Sequence, residues 1–249
     1  MTPTGAPGDD EDGWTVATGK KTRSSRSKRI YTLPEADSRC RKPVSETAIS
    51  KALAGVATSL ETLRGHPYAS NVLSKLPNHV SKAKIYWVWG LGSLDNLAQA
   101  QLVRYQAALA LLLEERLPEL AGPPEAVDPV FTSLDVAVYE RLGFLTQTGN
   151  HDWTVDAPTL LFAPHLEQVF ATRLLRTTHT KGLLKHLIYI GNSISKCLER
   201  NHVRMAHTPE DIAFLEVVGA TMTEVPLPEL GFATICPGAF NDLALHSFS

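Results

Sequence analysis

Residues 85–101 read IYWVWGLGSLDNLAQAQ, and the parsing of this stretch decides the fold. The first five residues are β-branched and aromatic, the composition of a strand buried on both faces. Gly90-Leu91-Gly92-Ser93 breaks the run. From 94 to 117, Leu94, Leu97, Ala98, Leu102, Tyr105, Leu109 and Leu112 then fall on one helical stripe. Pro118 and the following GPPE close that helix. A strand, a glycine turn and a helix open a βαβ unit. Glycines at such a turn either cradle a phosphate or ribose, or simply let the chain reverse direction.

The same alternation runs outward from this point. AVDPVFT (126–132) predicts a second, short strand, 134–142 a helix stopped by Gly143, and 144–147 a further strand. TLLFA (159–163) is a strand that leads through Pro164-His165 into a helix at 166–175. LIYI (187–190) leads through Gly191-Asn192-Ser193 into a helix at 194–200. TEVPLP (223–228) predicts an edge strand because of its two prolines, and FNDLALHSF (240–248) a last strand or a short helix. Upstream, Ile49, Leu53, Val56, Leu60 and Leu63 recur at three or four, giving a helix over 44–64 that Pro67 ends. Strands and helices in this alternation predict an α/β three-layer Rossmann-like sandwich with a mostly parallel sheet. An N-terminal helical segment and a basic tail precede it, and no internal repeat is present.

The whole chain has 249 residues, 43% of them hydrophobic, enough for one α/β domain with a tail. No run of about 18 uncharged apolar residues predicts a membrane span, and MTPTGAPGDDEDGW has no apolar signal-like core. Cys40, Cys197 and Cys236 lie far apart, with neither a disulfide framework nor a zinc spacing. The expected setting is reducing: cytoplasmic and nuclear. A formal charge of −2 hides an asymmetry. Residues 1–43 hold nine Lys/Arg against six Asp/Glu, and the remainder fifteen against twenty. The acidic body excludes an extended nucleic-acid-binding face, which needs clustered cations. Residues 1–43 read as a disordered tail whose GKKTRSSRSKR run suits nuclear import or an anionic partner, and Trp14 suits a short docking motif. Protein partners are therefore expected, and a membrane is not.

Each apolar strand ends in a polar or turn-forming cluster: Gly90 to Ser93, Asp128-Pro129, Pro164-His165, and Gly191-Asn192-Ser193. In an open parallel sheet all four would lie along the carboxyl edge, where such folds hold their ligands. Gly90, Gly92 and Ser93 suit close approach to a ligand's anionic end and capping of the next helix, although the third glycine of GxGxxG is absent. Asp128 is placed to accept ribose hydroxyls or to start an Asp-Pro turn. His165 is a candidate acid/base group or metal ligand, or a helix-start histidine held by backbone. Asn192 and Ser193 cap the next helix, and Gln101 is expected to point inward. There is no GxSxG elbow, phosphate loop or HExxH motif, and His179, His186, His202 and His207 read as surface residues.

WGLGSL, AQAQL, DPVFT, LLFAPH, LIYIGNS and AFNDLALHSF, in that order, resemble the sensitivity-to-red-light-reduced family with its SRR-like domain. The resemblance runs from about Ala48 to the end, and DGWTVATGKKTRSS resembles the family's Trp-containing basic stretch. AVDPVF departs from the pattern before Asp128, which implies a short second strand. The resemblance implies a regulatory role: phytochrome signalling and circadian timing in plants, benomyl sensitivity and microtubules in yeast, clock-gene expression and haem biosynthesis in animals. It implies no reaction. Gly90, Gly92, Asp128, Pro164, His165, Gly191, Asn192 and Ser193 match its recurrent positions. An enzyme of Rossmann-like methyltransferase type, binding a nucleotide or S-adenosylmethionine, is the alternative, and haem binding through His165 or a cysteine a weaker analogy.

Overall fold

Ser45 starts the first helix by accepting the Ala48 N–H at 3.2 Å on its hydroxyl, and α1 (Glu46–Arg64) buries Ile49, Ala52, Val56, Ser59 and Leu63 along one stripe. The computed structural model describes residues 43–147, 154–204 and 208–249. Expectations placed on the tail up to Lys42, on Cys40, and on the side chains of His202 and His207 lie outside the described residues. Pro67 does not simply end a helix. It opens a second one, α2 (Pro67–Lys75), because its fixed φ suits the first turn and the His66 ring accepts the Tyr68 N–H at 3.1 Å.

The central unit follows as β1 (Ile85–Trp89), α3 (Ala100–Glu114), β2 (Glu125–Val127), α4 (Ser133–Arg141), β3 (Leu145–Gln147) and β4 (Thr159–Ala163). Next come α5 (Gln168–Thr180), β5 (Leu187–Asn192), α6 (Ile194–Arg204), α7 (Pro209–Gly219), β6 (Met222–Pro226) and β7 (Leu243–Phe248). The sheet order is β3-β2-β1-β4-β5-β7-β6. The first five strands are mutually parallel, and β7 runs antiparallel to both β5 and β6. The last strand of the chain is thus slotted inside β6, which becomes the edge that its prolines predicted.

Both faces of the sheet are covered, with strict alternation along each strand. Tyr86, Val88, Leu160, Phe162, Ile188 and Ile190 face α1 to α4. Trp87, Trp89, Leu161, Ala163, Leu187 and Tyr189 face α5 to α7. α3 is buried nearly all round between α1 and the sheet, which its AALALLL sequence permits. Successive crossovers therefore lie on one face for β1 to β3 and on the other for β4 and β5. The direction of winding changes between β1 and β4, and the crevice of such a sheet opens there, at the carboxyl ends.

Three expectations need correction. The helix expected from 94 starts at Ala100, because Ser93 and Asn96 accept the N–H groups of Asp95, Ala98 and Gln99 and fold residues 94–99 into turns. Leu97, expected on the buried stripe, is 92% exposed as a result, and Gln101 faces outward. β2 is the short strand implied by the departure before Asp128, ending at Val127 because Asp128 accepts the Val130 N–H and bends the chain away. α7 has no counterpart in the sequence reading, although Thr208-Pro-Glu-Asp211 is a capped helix start with Pro at N1.

Candidate functional site

The glycine turn after β1 is built by two carboxylates. Gly90 and Gly92 have φ of +70° and +83°, a region that glycine enters without the steric cost of a Cβ. Gly90 also lies against the neighbouring loop, where a Cβ would meet the Leu166 backbone at 3.2 Å. The Gly92 N–H donates to Asp128 Oδ2 at 2.8 Å, and the Val130 N–H to Oδ1 at 2.9 Å. Asp135, fully buried in the first turn of α4, accepts from Ser93 Oγ at 2.6 Å and from the Leu94 and Thr132 N–H groups at 2.7 Å each. It also completes a capping box with Thr132. These two side chains tie the turn after β1 to the loop after β2.

Between those loops and the end of β4 lies a cleft of about 600 Å³. Gly90, Gly92, Asp128 and His165, all candidates from sequence, line it. Trp89, Leu102, Val130, Leu166 and Phe170 give it apolar walls, and Gln99, Glu167 and Asn241 polar edges. Burial pushes the Asp128 carboxyl above its ordinary range, while the Val130 and Gly92 N–H groups pull it back. His165 has Nε2 3.1 Å from the Gly238 carbonyl, so that nitrogen carries the proton, and burial lowers its basicity and favours the neutral ring.

The remaining candidates lie elsewhere. Ser93 and Pro164 are buried behind the cleft wall rather than in it. Asn192 reaches the rim only through Nδ2, 3.4 Å from the Leu166 carbonyl. Ser193 caps α6 by accepting the Lys196 N–H at 3.1 Å. Its own hydroxyl donates to Glu224 on β6 at 2.5 Å, and the same carboxylate accepts the Ile194 and Ser195 N–H groups at 3.1 Å each. His246, buried on β7, places Nε2 3.3 Å from Glu224 and donates Nδ1–H to the Tyr189 carbonyl at 3.1 Å. Burial would raise the Glu224 carboxyl, but His246, Ser193 and the Ser195 N–H hold it at about 2. Three of the four strand-end clusters therefore converge on the cleft, and the fourth is filled by the protein's own carboxylate.

Sequence reasoning missed the far wall. Glu167 and Phe170 sit in and just before the first turn of α5, where any residue following Pro164-His165 would face the crevice. Gly238 and Asn241 come from the connection between β6 and β7, and no local signal marks them. Among the described residues no group of three His, Cys, Asp or Glu side chains is disposed to hold a metal ion, and no helix is long and apolar enough to cross a membrane.

The family model for the SRR1 domain matches residues 60–247, which takes in the whole sheet but for the last residue of β7 and the whole lining of the cleft. The chain belongs to the SRR1 domain family. No curated protein matches it. Within the matched span WGLGS, DP, PH and GNS mark strand ends on one edge of one sheet. α1, by contrast, lies largely ahead of the matched span.

Proposed function

We propose that this SRR1 domain is a regulator in circadian and light signalling that acts with a nucleoside-containing small molecule bound in its cleft. It works through protein partners in cytoplasm and nucleus, and its links to haem biosynthesis and clock-gene expression are those of the animal relatives it resembles. Family membership supports the regulatory half of this reading, and the basic run at 20–29 supports the nuclear one. Asp128 carries the ligand half: a carboxylate only 4% exposed, at the end of the second strand, beside the glycine turn and open to the cleft at the change of winding. Both its oxygens already accept one backbone N–H, and each retains a lone pair for a ribose hydroxyl.

Methyl transfer is the second reading. A seventh strand reversed and inserted between the fifth and sixth is the sheet plan of Rossmann-like methyltransferases. On that reading Asp128 would hold the ribose of S-adenosylmethionine, while Leu102, Val130 and Phe170 would cover its base. That group brings a transferable methyl, and His165 offers a neutral imidazole at the cleft wall. Haem fits less well: His165 Nε2 is engaged by Gly238, and Cys236 is buried among aromatic rings.

A thermal-shift series on the full chain tests the ligand half, with S-adenosylmethionine, S-adenosylhomocysteine, NAD, ATP and haemin. A ligand at about 100 times its dissociation constant adds roughly 2.7 kcal/mol of stability. The expected result is a shift with at least one nucleoside ligand that Asp128→Asn removes. Unchanged melting with all five would overturn it.

A further inference from the structure

We infer that the cleft selects a phosphate-free nucleoside, one whose substituent is neutral or cationic, and rejects polyphosphate nucleotides. The inference deepens the ligand reading above and rests on it. The charge of the lining comes first. Asp128 and Glu167 line the cleft, His165 is held neutral, and none of the described lining residues is Lys or Arg. A triphosphate brings about three to four negative charges. Sites that accept it rely on Lys, Arg or a metal as well as on backbone N–H groups. A site with low-dielectric walls and two carboxylates instead repels anions and concentrates cations.

The second observation is independent of the first and answers the question raised by the glycine turn. A phosphate cradle needs backbone N–H groups that point at the ligand. Here four of the six from Gly90 to Asp95 are already engaged. Gly90 N–H donates to the Val127 carbonyl at 3.1 Å, Gly92 to Asp128 and Leu94 to Asp135, and Asp95 donates to Ser93 Oγ at 3.1 Å. Across the cleft, Val130 and Thr132 donate to the same two aspartates. The carboxylates of Asp128 and Asp135 stand where phosphate oxygens would stand in a nucleotide loop, so a phosphate would have to displace them.

Some anion capacity remains. α3 and α5 both begin at the cleft without a side-chain cap. Each helix start carries roughly half a positive charge, which suffices for a single carboxylate but not for a polyphosphate. The apolar surfaces of Leu102, Val130, Leu166 and Phe170 offer a flat base its contact, leaving Asp128 for the sugar. A nucleoside with a sulfonium and an amino-acid tail satisfies every part of this lining.

Calorimetric titration of the full chain with S-adenosylmethionine, 5′-methylthioadenosine, ATP and NAD tests the inference. The first two should bind at least tenfold more tightly than the last two. In Glu167→Lys, an exposed position whose change leaves the core intact, S-adenosylmethionine should weaken about three- to tenfold while 5′-methylthioadenosine changes less than twofold. Equal or tighter binding of ATP or NAD would overturn the charge selection and leave the nucleoside reading standing. No binding by any of the four would overturn both.

Discussion

Two strand ends on the same edge of the sheet look alike in sequence and are built for opposite ends. After β1 the chain reads Gly90-Leu-Gly-Ser93, and after β5 it reads Gly191-Asn-Ser193. After β1 the glycines are needed for conformation, with φ of +70° and +83°. After β5 the glycine is needed for space, because a Cβ on Gly191 would sit 2.2 Å from the Tyr189 hydroxyl and 2.3 Å from its ring. α6 starts at once, at Ile194, and seats its first N–H groups on Glu224. α3 starts only after residues 94–99 have turned aside, so the helix that follows β1 does not close over its end. An open cleft therefore follows from where the next helix begins and from what the neighbouring strand supplies, more than from the glycine turn itself.

The sharpest way to break this contrast is to remove the carboxylate that fills the β5 corner. Glu224→Ala leaves His246 without its charged neighbour and strips the acceptor from Ser193, Ile194 and Ser195. Stranding those hydrogen-bond donors should cost about 2–4 kcal/mol in all, read from urea unfolding. Asp128→Asn exchanges one acceptor oxygen for an amide and should cost only about 1 kcal/mol. A loss below about 1 kcal/mol for Glu224→Ala would mean that the corner is not held by this residue.

The two glycines sharpen the same comparison at a smaller scale. Gly191→Ala should destabilise by about 1–3 kcal/mol through overpacking, and trimming the ring with Tyr189→Leu should recover part of the loss. Gly90→Ala should cost about 1–2 kcal/mol for its left-handed backbone. No side-chain trimming should recover it, since the nearest atoms are the Leu166 Cα and N, at 3.2 and 3.3 Å. Double-mutant unfolding measurements decide the matter: rescue of Gly90→Ala by Leu166→Ala, or no rescue of Gly191→Ala, would reverse the assignment.

What the sequence disclosed, and what it hid, follows the range of the forces involved. The two-sided burial of β1, β4 and β5 is a local property, and IYWVW, TLLFA and LIYI carry it openly. So does the edge placement of β6, through its prolines. The start of α3 was hidden because Leu94 and Leu97 keep helical spacing, while Asp135, some forty residues on, takes Ser93 Oγ and the Leu94 N–H away from it. Glu224 was hidden for the same reason. TEVPLP shows an acidic residue on an edge strand, but nothing local shows that β7 will slip between β5 and β6 and bring it under α6. Asp128, Gly90, Gly92 and His165 were legible because one rule, the carboxyl end of a parallel strand, places them. Gly238 and Asn241 arrive on a long connection that no such rule governs.

Acid separates the two corners by the sign of their response. Glu224 is held at about 2 against an ordinary value of 4.5, so its contribution is complete above pH 4.5 and drains away as pH falls toward 2. Asp128 is raised by burial, so the folded state takes up its proton more readily than the unfolded chain does. Acidification through its raised value and down past its ordinary one therefore adds stability at the cleft while the corner loses it. In wild-type protein the two partly cancel. Unfolding measured between pH 6 and pH 2 should show a shallower acid decline for Glu224→Gln than for wild type, and a steeper one for Asp128→Asn. Parallel curves for both variants would mean that neither carboxylate changes its proton affinity on folding, and the contrast between a filled corner and an open cleft would lose its electrostatic basis.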